Sequence, residues 1–258
     1  MMAEFKLDLR STVSMRPDFA EQNITGLGDG WKIAEEMARL HSTAIQRIAR
    51  AAGPHPSQQD LGTVLLGTHG LNLFLEFMGL VIRGRFDVAS YLPRAILDCQ
   101  SLAFAVQSDA GLAAQFFDGK LRGYQGRVKV VEAIRRVEAE LADYLERRFK
   151  NEAGAANDLS HVNLTHLEKL VDREGDSVTP IVGGRVDHDL GRLLTGSALE
   201  NENWHLSWFE AFSGSTVGQD WVDERSAMKN SFRAWMKEVF GATGYNADTD
   251  SWDEPASN

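Results

Sequence analysis

The chain of 258 residues carries 27 basic and 37 acidic side chains, a formal charge of −10, with 43% hydrophobic and 25% charged residues. That apolar share supports a packed core, and the negative balance excludes indiscriminate binding of nucleic acid or anionic membrane over the surface as a whole. A lone cysteine, Cys99, excludes an intramolecular disulfide and a thiolate zinc site.

Residues 1–29 read as an irregular arm. Glu4, Lys6, Asp8 and Arg10 break up its start, which lacks the apolar run of a secretory signal, so a cytoplasmic protein is expected. Over 31–52, Ile33, Met37, Leu40, Ala44 and Ile48 recur at helical spacing, and Gly53-Pro54-His55-Pro56 ends the run. Residues 61–82, LGTVLLGTHGLNLFLEFMGLVI, are long enough to span a bilayer. Glu76 lies well inside, with Asn72 and His69 one and two turns before it. A central acidic residue costs about 3 kcal/mol on insertion scales, so a buried core helix is expected and no membrane partner.

The next segment, 84–107, has Asp87 as a candidate N-cap, and Pro93 inside the pattern predicts a kink or a broken first turn. Val88, Leu92, Ala95, Cys99, Leu102 and Val106 form one apolar face, with Leu97 and Phe104 nearly opposite. Arg94 and Asp98 fall between these sectors, four apart on one face. Three readings stay open for them: a surface ion pair, a buried structural network, or a guanidinium held by Asp98 and presented to a phosphate or carboxylate.

A helix over 108–118, capped by Ser108 or Asp109, precedes Gly119, Gly123 and Gly126, which interrupt the pattern. A long one-sided helix is expected over 127–150. Residues 120–150 hold nine basic against five acidic side chains, a local +4 that leaves −14 on the rest. Lys120, Arg122, Tyr124, Arg127 and Lys129 begin this run, read either as a solvated helix face or as a phosphate-binding one. Helices are expected again over 159–172, 187–212 and 223–240, with 178–182 a short extended piece and an acidic, disordered tail over 241–258.

In Asn157-Asp158-Leu159-Ser160-His161-Val162-Asn163, polar residues crowd a helix start, where amide donors can bind an anion; a plain cap by Ser160 or Asp158 is the simpler account. His166 stands five residues after His161 with no third ligand near, so no metal and no cofactor are expected. Trp204, Trp208 and Phe212 repeat every four residues, as core or as a subunit interface. His205 adjoins them without an evident nucleophile partner. A homo-oligomer, most simply a dimer, is expected through that stripe or through the apolar helix pair.

These patterns predict an all-α fold: one helical-bundle domain of about seven helices over 30–240. Three pieces recur in a familiar order: the apolar helix with Arg94 and Asp98, then Phe117-Asp118-Gly119-Lys120-Leu121-Arg122, then Leu159-Ser160-His161. Across roughly 83–170 the chain resembles a loose group of uncharacterised all-helical bacterial and phage proteins, and it is distantly similar to HEPN-type helical domains. That resemblance implies a defence or toxin setting, with Arg94, Asp98, Lys120 and His161 as matching polar residues. HEPN nucleases also carry an arginine four to six residues before a histidine on a late helix. Here only Arg50 and His55 have that spacing, across Gly53-Pro54 at an early helix end.

Function is expected to be that of a helical binding or regulatory protein organised by Arg94, Asp98 and His161. The ligand or phosphate set would be Arg94, Lys120, Arg122, Tyr124, Ser160 and His161, and the partner a nucleotide or RNA, not DNA. The alternative is an RNA- or nucleotide-directed enzyme using His161 as acid/base, with Arg94 or Lys120 on phosphate.

Overall fold

The computed structural model describes residues 17–136, 139, 142–143, 146–147, 149–150, 171–174, 177–180 and 186–241. Among these the fold is all-α, nine helices with one small hairpin. The order is α1 (Pro17–Leu27), α2 (Asp29–Ala52), α3 (Gln58–Ile82), α4 (Phe86–Ala89), α5 (Leu92–Ser108), α6 (Ala110–Phe117), α7 (Gly123–Arg135), β1 (Val171–Glu174), β2 (Ser177–Pro180), α8 (His188–Val217) and α9 (Gln219–Phe240). The strands pair antiparallel, Val171 opposite Pro180 and Glu174 opposite Ser177. The helix expected over 159–172 therefore does not include Val171 and Asp172; β-branched Val171, Val178 and Thr179 suit extended backbone. Residues 159–170 and the tail beyond 241 lie outside the described residues.

Three local expectations are corrected. Residues 17–27 are helical rather than an irregular arm: Pro17 is pre-set for a first turn, and Ala20, Asn23 and Leu27 are buried on one face. Asn23 obscured that face in the sequence because it is polar, yet its Nδ2 donates to the Ile82 carbonyl at the end of α3 (3.1 Å). Of the two outcomes expected at Pro93 the kink is not found; Pro93 lies in the first turn of α5, just after the break from α4, where its missing N–H has no intrahelical role. Gly126 does not interrupt α7 but lies inside it.

Caps behave as their chemistry dictates. Ser57 accepts from the Asp60 amide at 3.0 Å, Asp109 from Leu112 at 2.9 Å and Asp187 from Leu190 at 3.0 Å, each satisfying an orphan donor of a first turn. The main core joins α2, α3, α8 and α9. The α2 stripe Met37, Leu40, Ala44 and Ile48 meets Phe74 and Phe77 of α3, Leu199 and Leu206 of α8, and Trp221, Phe232 and Met236 of α9. The Trp221 indole donates to the Leu40 carbonyl at 2.9 Å, so even this ring is satisfied.

Helix α3 is long and apolar enough, by length and composition, to cross a membrane, yet it packs on α2, α5, α6 and α8. It is only partly the buried helix expected. Gly62, Leu66, Gly67, Gly70, Phe74 and Phe77 are buried, but Leu61, Leu65 and Leu75 are 39%, 50% and 50% exposed on its outer face. Trp208 packs with Leu66, Cys99, Val106 and Ala113 in a second cluster, which removes it from any open aromatic stripe; Trp204 is half-buried.

Candidate functional site

The site at α5 and α7 begins with two glycines. A Cβ on Gly126 would lie 3.1 Å from the Ser101 carbonyl carbon and oxygen, and one on Gly123 would lie 2.5 Å from Asp98 Cβ. Only a hydrogen at these positions lets α7 lie directly on α5. That approach carries Arg127 to Asp98, with Arg127 Nη2 3.3 Å from Asp98 Oδ1, while Arg94 Nε donates to Asp98 Oδ2 at 3.2 Å.

Of the three readings open for Arg94 and Asp98, a fully buried pair is not what forms. The Arg94 and Asp98 side chains each keep 32% exposure, whereas the Arg127 side chain keeps 6%. The buried polar positions on α5 are Gln100 and Ser101, and the Ser101 hydroxyl donates to the Leu97 carbonyl at 2.7 Å. Asp98 is a bridge between a rim arginine and an interior one.

In front of this bridge opens a cleft of about 620 Å³, lined by Arg94, Tyr124, Arg127, Val128, Val131, Glu132, Arg135, Glu146, Phe149 and Lys150. Such a volume falls within the range of small-molecule sites. Four cations face two carboxylates across it. Arg135 holds Asp143 and Glu146, each at 2.7 Å, so its charge is largely matched. Tyr124 is 66% exposed, and the Arg127 guanidinium sits 5.4 Å from its ring centroid. The wall therefore combines a fixed positive charge with an open aromatic face.

The sequence-derived residues divide accordingly. Arg94 and Tyr124 line the cleft together. Lys120 lies outside its lining, 70% exposed and paired with Asp118 at 2.8 Å, and hydrogen bonding to that carboxylate raises its pKa. Arg122 is exposed before α7, its amide donating to Gln125 Oε1 at 3.1 Å. Ser160, His161 and His166 lie outside the described residues. Arg50 and His55 are both exposed near the end of α2, remote in the chain from any late helix.

A second polar centre sits inside the main core. His41 of α2 and Glu202 and His205 of α8 are 0%, 1% and 1% exposed. His41 Nδ1 hydrogen-bonds Glu202 Oε1, and His205 Nδ1 lies 3.8 Å from Glu202 Oε2. Gln100 of α5 donates to the Asn201 carbonyl at 2.6 Å and reaches His205 Nδ1 at 3.3 Å. The His205 ring crosses α3 where a Cβ on Gly70 would stand 2.4 Å from Cε1. Four helices meet here. Burial alone would raise the Glu202 carboxyl, but its interactions with His41 and with the nearby His205 ring prevail and hold it down at about 2. Burial pushes His205 below its ordinary value, His41 adding to this, so its imidazole is neutral near pH 7.

No family model matches this chain, nor does any curated protein or solved structure.

Sequence reasoning passed over this second centre. A signal was present: Glu202 and His205 are three apart on one helix, and His41 follows Leu40 within the apolar stripe of α2. What joins them is a pairing across 161 residues, which no local pattern carries.

Proposed function

We propose that the chain is a helical binding protein whose α5–α7 cleft takes a nucleotide-like ligand: an aromatic ring on Tyr124 and a phosphate among Arg94, Arg127 and Lys150. The observation that carries this reading is the meeting of an exposed tyrosine ring with several cations on one cleft of about 620 Å³. Stacking on an open aromatic contributes about 1–3 kcal/mol per base, and guanidinium groups match phosphate oxygens in pairs. Glu132 and Glu146 on the same wall disfavour a long polyanion and favour a single nucleotide or a short RNA segment. The reading keeps the sequence expectation of a cytoplasmic protein in a bacterial or phage defence setting.

The test is fluorescence titration of purified protein with mononucleotides and with a short single-stranded RNA at two salt concentrations. Tyr124→Ala is expected to weaken binding about 5- to 100-fold, and Arg94→Ala to weaken it while reducing the salt dependence. Absence of binding to every probe, or binding indifferent to both substitutions, refutes the assignment. Cleavage of the RNA that is abolished by His161→Ala would move the reading to the enzymatic alternative.

A further inference from the structure

We propose that His41, Glu202 and His205 bind one divalent transition-metal ion of the zinc or ferrous class, which ties α2 to α8 inside the main core. One ligand atom from each residue can be chosen so that all lie within 4.8 Å of one another, and all three side chains are buried. Donors around a single zinc ion at about 2.1 Å stand about 3–3.5 Å apart, so the widest pair must close by up to about 1.5 Å.

The donor set selects the ion class. Two imidazoles and a carboxylate suit zinc and ferrous iron, whereas calcium and magnesium take oxygen ligands almost throughout. Among the described residues, none is a hydrogen-bond partner to His41 Nε2, His205 Nε2 or Glu202 Oε2, and all three atoms are shielded from solvent. Three such atoms fall on three adjoining, fully buried side chains, a concentration that the usual pairing of buried polar groups disfavours. An ion coordinated at this point uses lone pairs that the interior leaves idle.

Gln100 and Gly70 supply the surroundings. The Gln100 amide nitrogen, which donates to the Asn201 carbonyl, also sits 3.3 Å from His205 Nδ1 and holds the ring in place. Gly70 leaves the room that the ring occupies against α3. Because nothing in the cluster is exposed, the ion enters as the core closes during folding and leaves slowly. This centre is separate from the α5–α7 cleft, so its fate and that of the nucleotide reading are independent.

The experiment uses the full chain. Protein unfolded in guanidinium with chelator is refolded with and without zinc, freed of excess ion, and analysed by elemental mass spectrometry and thermal unfolding. About one zinc per chain is expected. At about a hundredfold excess of zinc over its Kd, the Tm should rise by about 5–10 °C over the metal-free protein. Cobalt in place of zinc should give visible absorption of a low-coordinate nitrogen–oxygen site.

Glu202→Gln keeps an acceptor for His41 and so preserves the fold; it should lose the bound ion and the thermal shift together, as should His205→Asn. Wild-type protein that refolds to its helical state yet takes up no zinc and shows no shift overturns the proposal. So does undiminished binding in Glu202→Gln and His205→Asn, which places the ion elsewhere.

Discussion

The Asp98 bridge makes two arginines compete for one carboxylate, and burial decides which matters more. Arg127 keeps only 6% side-chain exposure and stands 3.3 Å from Asp98, while Arg94, at a nearly equal 3.2 Å, keeps 32%. Substituting Arg127→Met preserves most of the packed stem and removes the charge. Breaking a fully buried pair costs about 3–5 kcal/mol, and the one-third exposure of Asp98 reduces this to about 2–3 kcal/mol. Arg94→Met removes a one-third-exposed pair at four-residue helical spacing, worth under about 0.5 kcal/mol. Urea unfolding of the single variants, of Asp98→Asn and of both double variants gives each free energy from the midpoint at constant m. The Arg127–Asp98 coupling should exceed the Arg94–Asp98 coupling by at least about 1 kcal/mol. Equal couplings, or a larger loss from Arg94→Met than from Arg127→Met, would refute the reasoning that burial rather than distance sets the strength of this bridge.

Gly126→Val places a branched side chain against the Ser101 backbone 3.1 Å away and should destabilise by about 2 kcal/mol or more while opening the cleft wall; urea unfolding and the nucleotide titration read the two effects, and an unchanged midpoint would contradict the close approach. Burial, aided by the charges of Glu202 and Asp98, raises the Cys99 thiol to about 12, so the thiolate form is scarce at pH 8 in the folded state and common once the chain unfolds near its ordinary value. An aromatic disulfide reagent at pH 8 should therefore label unfolded protein within minutes and native protein only at the rate of opening; prompt stoichiometric labelling of native protein would count against that burial. The open row Leu61, Leu65 and Leu75 on α3 is the apolar face that a second copy would cover, so Leu65→Glu with Leu75→Glu should convert a dimer to a monomer in sedimentation. A wild-type chain that sediments as a monomer at every concentration removes the dimer.

Much of the fold was legible because it rests on local periodicity. The stripe Ile33, Met37, Leu40, Ala44 and Ile48 is buried as its spacing demands, and Trp221, Met228, Phe232 and Trp235 of α9 likewise. Where a residue's environment depends on a partner far along the chain, the sequence pattern misled. A helical wheel of α5 places Arg94 and Asp98 between apolar sectors, yet it cannot register that α7 arrives over Gly123 and Gly126 and brings Arg127 to the interior position. On α3 the same wheel sees apolar residues all round, and it cannot register that, among the described residues, Leu65 and Leu75 stay half exposed. Arg94 and Tyr124 were named from the sequence and do share a cleft; Lys120 was named for its charge and is occupied with Asp118 outside it.

The order in which the core is assembled has a consequence for synthesis. The apolar stripe of α2 is complete once residue 52 has been made, but Trp221, Phe232 and Met236, which cover it, belong to α9. At ribosomal speeds of about 5–20 residues per second, that face waits on the order of 10–40 s for its cover. Over that interval the nascent chain presents Met37, Leu40, Ala44 and Ile48 to whatever else is near, together with α3. A chaperone that holds amphipathic helices would find its longest-lived target in the first third of this protein, and a chain stopped before α9 would keep that target permanently.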